Sequence, residues 1–371
     1  MRPDRLTQGQ LNRATLARQH LLERADMPPL AMVEHLVGLQ AQIPLDPYTG
    51  LWSRLAGFRP ESLADLLVRR EVVRVVVMRG TIHLVTSDDC LLLRPLMQPV
   101  LHAELARHPD FAPMLRGVDL DPVLAVAAAA LAERPLTGPQ LRATLAERFG
   151  ADVAPALAYA CRCLLPVVQV PPRGVWGKTS QVTVTTADAW LGRPLAARPS
   201  IDDVVLRYLG AFGPATVADL TTWCRLTRMR EIVERLRPRL RTFRDENGRE
   251  LFDLPDAPRP DAEVPAPTRF LPEYDNVLLS HADRARVVPE RRRDPLRRAG
   301  GVGSGSVLHD GLVCGVWRIQ RAGSRSAILA VTLAERMPKR ATASIAAEGR
   351  RYLRFAAGAA ASQVTVSVAD G

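Results

Sequence analysis

Residues 59–85 read RPESLADLLVRREVVRVVVMRGTIHLV, and this stretch decides the fold class. Its first part, residues 59–70 with Ser62 near the start, predicts an amphipathic helix. The period then changes. Val72, Val73, Val75, Val76 and Val77 form a β-branched run, Arg79-Gly80 supplies a turn, and residues 82–85 resume the run, which predicts a hairpin. Upstream, Leu11, Leu16, Leu21 and Leu22 recur at helical spacing, as do Leu30, Val33, Leu36 and Val37 after Pro28-Pro29. Helix, helix, helix, hairpin is the order of a winged helix.

The order recurs, and the repetition weighs more than any single copy. Residues 122–134, 137–149 and 154–164 predict helices; a strand at 166–170, a Pro171-Pro172-Arg173-Gly174 turn and a strand at 181–185 follow. A third unit starts at Ile201, where Tyr208-Leu209-Gly210-Ala211-Phe212-Gly213-Pro214-Ala215-Thr216 ends one helix and caps the next. Residues 228–236 then offer a recognition-type helix, with a wing around Glu246-Asn247-Gly248. Five prolines within residues 255–267 predict a semi-extended linker. Beyond it, residues 277–279, 307–308, 312–319, 326–332 and 363–368 predict strands, with one helix near 341–351. The expected fold class is α+β: three tandem winged-helix (helix-turn-helix) units at 1–115, 116–198 and 199–254, the linker 255–267, and a mainly-β C-terminal domain at 268–371.

The formal charge of +11 points to a polyanionic partner, because a positive field steers and holds phosphate chains. Coding bias explains the preference for arginine, since lysine occurs only at Lys178 and Lys339, but bias alone creates no net charge. Double-stranded DNA is therefore the expected partner. The N-terminal residues carry no apolar leader and the Ala-rich run 124–131 is too short for a membrane span, so a cytoplasmic, nucleoid-associated protein is expected. Cys90, Cys161, Cys163, Cys224 and Cys314 are scattered without metal-ligand spacing, which predicts free thiols, no metal and no cofactor. DNA-contact candidates are Arg173 and Lys178 on the second wing and Arg225, Arg228 and Arg230 near the third recognition helix. A further cluster, Arg291, Arg292, Arg293, Arg297 and Arg298, reads as a mobile basic loop that grips phosphates; a solvated loop without function is the competing reading.

In Val37-Gly38-Leu39-Gln40-Ala41-Gln42-Ile43-Pro44, Gly38 and Pro44 mark a helix end, and Ile43 before proline favours extended geometry. Residues two apart diverge on a helix but share a side on an extended chain, so Gln40 and Gln42 converge only if the chain has left the helix. On these residues alone, two glutamines solvating a helix end remain the simpler reading. This segment, with Tyr48-Thr49-Gly50-Leu51-Trp52, the wing Met78-Arg79-Gly80-Thr81-Ile82-His83-Leu84-Val85, and Leu271-Pro272-Glu273-Tyr274-Asp275, resembles the AlkZ/YcaQ superfamily of winged-helix DNA glycosylases over nearly the whole chain.

The resemblance implies a fold of three winged helices scaffolded by a C-terminal β domain, and excision of N7-alkylated purines. Gln40-Ala41-Gln42 maps onto the family's catalytic motif in its Gln-Gln form, which is similar to the branch associated with self-resistance to azinomycin-type interstrand crosslinks. The chemistry is compatible. A cationic N7-alkylguanine leaves without a strong base, so amides that orient water beside developing sugar charge suffice. Gln42 is expected to hold the water and Gln40 to orient. With lysine so scarce, a monofunctional hydrolase without lyase activity is expected. Arg79 and His83 on the first wing are expected to face DNA or the catalytic segment, whereas Glu273 and Asp275 read as structural caps or ion-pair partners. Two other classes stay open: a sequence-specific regulator, for which no dimerisation zipper is visible, and a damage-binding protein without catalysis. A monomer is expected.

Overall fold

The computed structural model describes residues 4–301, 303–323 and 326–369. The first helix, Gln8–Arg18, starts where the Thr7 side chain accepts from the Gln10 backbone and the Gln10 side chain returns the bond. Pro29–His35 and Pro60–Val68 begin with proline in the first turn, where its missing N–H costs nothing. An additional helix, Asp46–Arg54, lies between them. Strands Val72–Val76 and Ile82–Thr86 form the hairpin read from residues 59–85. Two further helices, Ser87–Leu96 and Gln98–Ala106, follow directly.

The second repeat comprises helices Asp121–Glu133, Gly138–Phe149 and Ala154–Leu164 and strands Val167–Gln169 and Thr183–Thr186. Its hairpin does not stand apart from the first. Val75 pairs with Val168, so both hairpins join one six-stranded sheet with Leu39–Gln40 at one edge and Leu136–Thr137 at the other. The third repeat holds helices Ile201–Phe212, Val217–Cys224 and Met229–Leu236 and strands Arg241–Asp245 and Glu250–Asp253. Strand Arg5–Leu6 adds to it in parallel, which ties the start of the chain to the third wing.

Residues 255–267 are irregular but fastened to the first helix: Arg18 donates to the Pro258 carbonyl and Arg13 to that of Val264. The C-terminal region is a five-stranded sheet in the order Arg269–Leu271, Gly305–His309, Leu312–Ala322, Ser326–Leu333, Ala361–Val368, covered by helix Lys339–Ala357. Along Ser326–Leu333, buried residues alternate with half-buried ones, as a sheet with one packed face requires. Mixed α and β structure is thus present throughout.

Two expectations are corrected. Residues 277–279 belong to a short helix, Asn276–Leu279, which Asp275 caps by accepting from the Val277 backbone. The Arg291–Arg298 cluster is not a loop but helix Glu290–Ala299, supported by Glu290–Arg293 and Asp294–Arg297 pairs one turn apart. Its Arg292 is buried, bonded to Glu335 and to the Val313 carbonyl. Such a charged segment has little apolar periodicity, so its helix is secured by packing on the sheet and not by local pattern. All five cysteines are buried free thiols. Among the described residues no helix is long and apolar enough to cross a membrane.

Candidate active site

The helix Pro29–His35 is stopped by two consecutive left-handed residues, Val37 (φ 53°) and Gly38 (φ 92°). A Cβ at Gly38 would lie 2.7 Å from Val85 Cγ1, so glycine serves both the turn and the close approach of the wing. The chain then leaves as a strand: Leu39 pairs with Leu84 and Gln40 with His83. Three bonds hold this segment from behind. Asn276 Nδ2 donates to the Gly38 carbonyl (2.8 Å), Ala41 N donates to Ile82 O (2.7 Å), and Arg74 Nη2 donates to Ala41 O (2.7 Å).

Gln40 is buried, and its Oε1 accepts from Arg79 Nη2 at 2.8 Å. Arginine only donates, so this bond settles which end of the amide is which: the Nε2 hydrogens point away from Arg79. The same Nη2 lies 3.1 Å from His83 Nε2, and His83 Nδ1 lies 3.0 Å from the Thr81 carbonyl. These partners require His83 to be neutral, with its proton on Nδ1. Burial, then the Arg79 charge, bring its pKa down to about 3. Arg79 is brought down to about 10, chiefly by burial and next by the Arg225 charge, and so stays cationic at neutral pH. Its Nη1 donates to the Trp223 carbonyl (3.0 Å), joining the first wing to the third repeat.

Gln42 is exposed, with Oε1 3.4 Å from Ile82 N, a weak contact that leaves the amide available. Four residues on, Asp46 is buried at the start of its helix, and its Oδ2 has no partner within the described residues. Burial, then the charges of Glu273 and Asp275, raise its carboxyl to about 7 against a backbone bond from Tyr274.

The structure therefore brings together Gln40, Arg79 and His83, and sets Gln42 beside them. His83, 1% exposed, faces the catalytic segment, the second of its two expected placements, while Arg292, 8% exposed, is turned inward against its expected place in an exposed basic cluster; each is engaged by protein groups. Arg79 likewise spends both terminal nitrogens within the protein. Arg173 is half-buried and donates to the Ser180 carbonyl, while Lys178 is exposed. Their wing folds back on the first repeat, where Tyr48 Oη donates to Gly174 O and the Tyr48 and Trp176 rings lie 5.0 Å apart. Arg291, Arg293, Arg297 and Arg298 are exposed on the Glu290–Ala299 helix. Asp275 pairs with Arg54, both fully buried, as its structural reading expected.

Sequence reasoning missed Arg74, Asp46 and Asn276. Arg74 had a signal, a lone charge inside Val72-Val73-Arg74-Val75-Val76-Val77; a charge in a run that must be buried needs a polar partner. Asn276 had none, because its partner is 238 residues away in sequence.

Comparison with known proteins places these features in a family. A curated interstrand DNA cross-link repair glycosylase from Streptomyces sahachiroi is 31% identical over 158 residues, 38% of this chain and 41% of that relative. The chain thus matches less than half the length of that relative. The solved structure of Streptomyces sahachiroi DNA glycosylase AlkZ has the same fold, with a TM-score of 0.75 at 23% identity, covering 98% of this chain and 100% of that one. The family of AlkZ-like DNA glycosylases matches residues 33–355, which include Gln40, Gln42, Arg79 and His83, and the chain belongs to that family.

Proposed function

We propose that this protein is a monofunctional DNA glycosylase that hydrolyses the N-glycosidic bond of cationic N7-alkylated purines in double-stranded DNA, including azinomycin-type interstrand crosslinks. The observation that carries the reading is the amide of Gln40, locked by Arg79 on a strand that has just left a helix, with the exposed Gln42 two residues on. Gln42 Oε1 accepts from the attacking water and lies beside the charge that grows on the deoxyribose. Gln40 orients that water or the lesion through its Nε2 hydrogens. Arg79 and His83 act as positioning residues: His83 Nε2 holds Arg79, and Arg79 holds Gln40.

The limits of the site match the proposed substrate. Neither group bonded to the Gln40 oxygen network is an acid at neutral pH: Arg79 is a fixed cation and His83 stays neutral. A leaving base would receive no proton from them, so the lesion must arrive already cationic. Lys178 is exposed on the second wing and Lys339 starts the C-terminal helix, and neither is bonded to Gln40, Arg79 or His83. That supports hydrolysis without a Schiff base.

The helix and hairpin order supports three winged-helix units and the domain limits at 115, 198, 254 and 267 as the frame that encloses the duplex. Arg173, Lys178, Arg291, Arg293, Arg297 and Arg298 are the outlying phosphate contacts in this reading, and the protein acts in the cytoplasm at the nucleoid as a monomer. The test is base release from a duplex bearing one N7-methylguanine, at saturating protein, for wild type, Gln40→Ala, Gln42→Ala and Arg79→Met. Release by wild type and a fall of roughly 100-fold in either glutamine variant are expected, the scale for losing one preorganised polar group. Tight binding without release would leave a regulator or a damage-binding protein, and dependence on operator sequence would decide between those two.

A further inference from the structure

Arg74 is a buried cation held by neutral oxygens, directly behind the segment that carries the two glutamines. It lies in strand Val72–Val76, in register with Leu84 on one side and Gln169 on the other, and is 1% exposed. Arg54 and Arg18, similarly enclosed, pair with Asp275 and Asp253. Arg74 has no carboxylate partner among the described residues: its Nη2 donates to the Ala41 carbonyl at 2.7 Å, its Nη1 to Gln169 Oε1 at 2.6 Å, and its buried Nε has no acceptor. Arg94 is also held by neutral groups, but two of them are the Cys163 and Leu165 carbonyls at the C-terminal end of helix Ala154–Leu164, where the helix dipole supplies negative charge. The Ala41 carbonyl offers no such field. Burying a charge without a counter-ion is unfavourable, and packing by itself favours one more valine in this strand.

The group that Arg74 grips is the peptide between the glutamines. In a trans peptide the carbonyl and the N–H point opposite ways. Arg74 on Ala41 O therefore turns the Gln42 N–H away from itself, and no group among the described residues accepts from that N–H. Gln40 is already fixed by Arg79, and Ala41 N by Ile82 O. The bond from Arg74 is the last fixed point before Gln42, whose side chain makes only the weak 3.4 Å contact with Ile82 N. A cation on the carbonyl also polarises the amide and strengthens its N–H as a donor. The other groups around Arg74 come from the second repeat: Gln169 ends strand Val167–Gln169, and a Cβ at Gly174 (φ 87°) would lie 2.9 Å from Arg74 Cδ, so glycine lets the second wing close over the arginine.

We propose that Arg74 is a positioning residue for base release: it locks the Ala41–Gln42 peptide against the second repeat, so that Gln42 meets water with its amide side chain and its N–H in one fixed orientation. The role in release rests on the glycosylase reading above; the locked peptide does not. The second repeat then belongs to the active site as well as to the frame around the duplex.

The test measures single-turnover release from the N7-methylguanine duplex at saturating protein, per folded molecule, for full-length wild type, Arg74→Met, Gln42→Ala and Arg74→Met/Gln42→Ala. Arg94→Met is the control, the loss of a buried arginine on helix Ser87–Leu96 that holds other carbonyls. Arg74→Met should slow release about tenfold with DNA affinity within about twofold of wild type, the pattern of a displaced reacting group. Arg94→Met should leave the rate unchanged whatever it does to the melting temperature. In the Gln42→Ala background Arg74→Met should cost nothing further, because the group it positions is gone, whereas a purely structural loss would add. Should Arg74→Met fail to fold, Gln169→Ala at the half-buried partner takes its place in the same cycle. An unchanged rate, or losses that add, overturns the proposal. Wild type that binds but releases no base sinks the glycosylase reading, and NMR of protein labelled at glutamine nitrogen then decides the lock: the Gln42 backbone amide should shift and broaden in Arg74→Met and not in Arg94→Met, and an unmoved signal overturns it.

Discussion

His83 is neutral at physiological pH because it is buried beside the Arg79 guanidinium, and its pKa sits near 3 instead of 6.5. Asp46 is displaced the other way, to about 7 from 3.8, by burial and by Glu273. The two oppose each other in the pH dependence of stability. The unfolded chain protonates His83 below pH 6.5 and the folded one does not until about 3, so its contribution is present above 6.5 and lost as pH falls through that window. Folded Asp46 keeps a proton that the unfolded chain releases above 3.8, so its contribution is present below 3.8 and lost as pH rises through about 7. Melting temperatures between pH 4 and 7 should therefore fall less steeply on acidification for His83→Gln and more steeply for Asp46→Asn than for wild type. Parallel profiles for all three would show that neither site is buried as described.

Among the elements, the helix-to-strand exit at Gly38 matters most for the site. Alanine there must adopt φ 92° with its Cβ 2.7 Å from Val85 Cγ1 and 3.0 Å from the Leu84 carbonyl. Gly38→Ala should cost about 2–4 kcal/mol, the sum expected for a left-handed alanine and an overpacked wing. The denaturant midpoint should drop at constant slope, and base release should fall further than stability alone explains. An unchanged midpoint would mean that the wing can move aside. This exit was legible, because Gly38 and Pro44 bracket it. The helices Asn276–Leu279 and Glu290–Ala299 were not: one is too short for periodicity and the other too charged.

Across the whole molecule, buried arginines bind the repeats to each other and to the C-terminal region. Arg54 and Asp275 pair at 2.8 Å with both side chains fully enclosed, and Arg18 and Asp253 do the same at 2.6 Å. Asp275→Asn leaves the Arg54 charge without its counter-ion and should cost about 3–5 kcal/mol, as removal of one partner of a buried pair does. Thermal unfolding would read the loss. A variant as stable as wild type would mean that water reaches Arg54.

The sequence by itself determined the three hairpins and several of the helices that precede them, the exit that carries Gln40 and Gln42, and a charge suited to DNA, but not the helices Asp46–Arg54, Ser87–Leu96 and Gln98–Ala106. These rest on local physics: side-chain periodicity, turn chemistry and net charge act within a few residues of each other. Only the tertiary structure decided which polar groups are enclosed by protein partners and which stay exposed. His83 and Arg292 look available in sequence and are enclosed, whereas Arg291, Arg293, Arg297 and Arg298 stay exposed on the same helix as Arg292. The physical reason is that burying a charge depends on its partner, and partners such as Arg18 and Asp253 lie 235 residues apart.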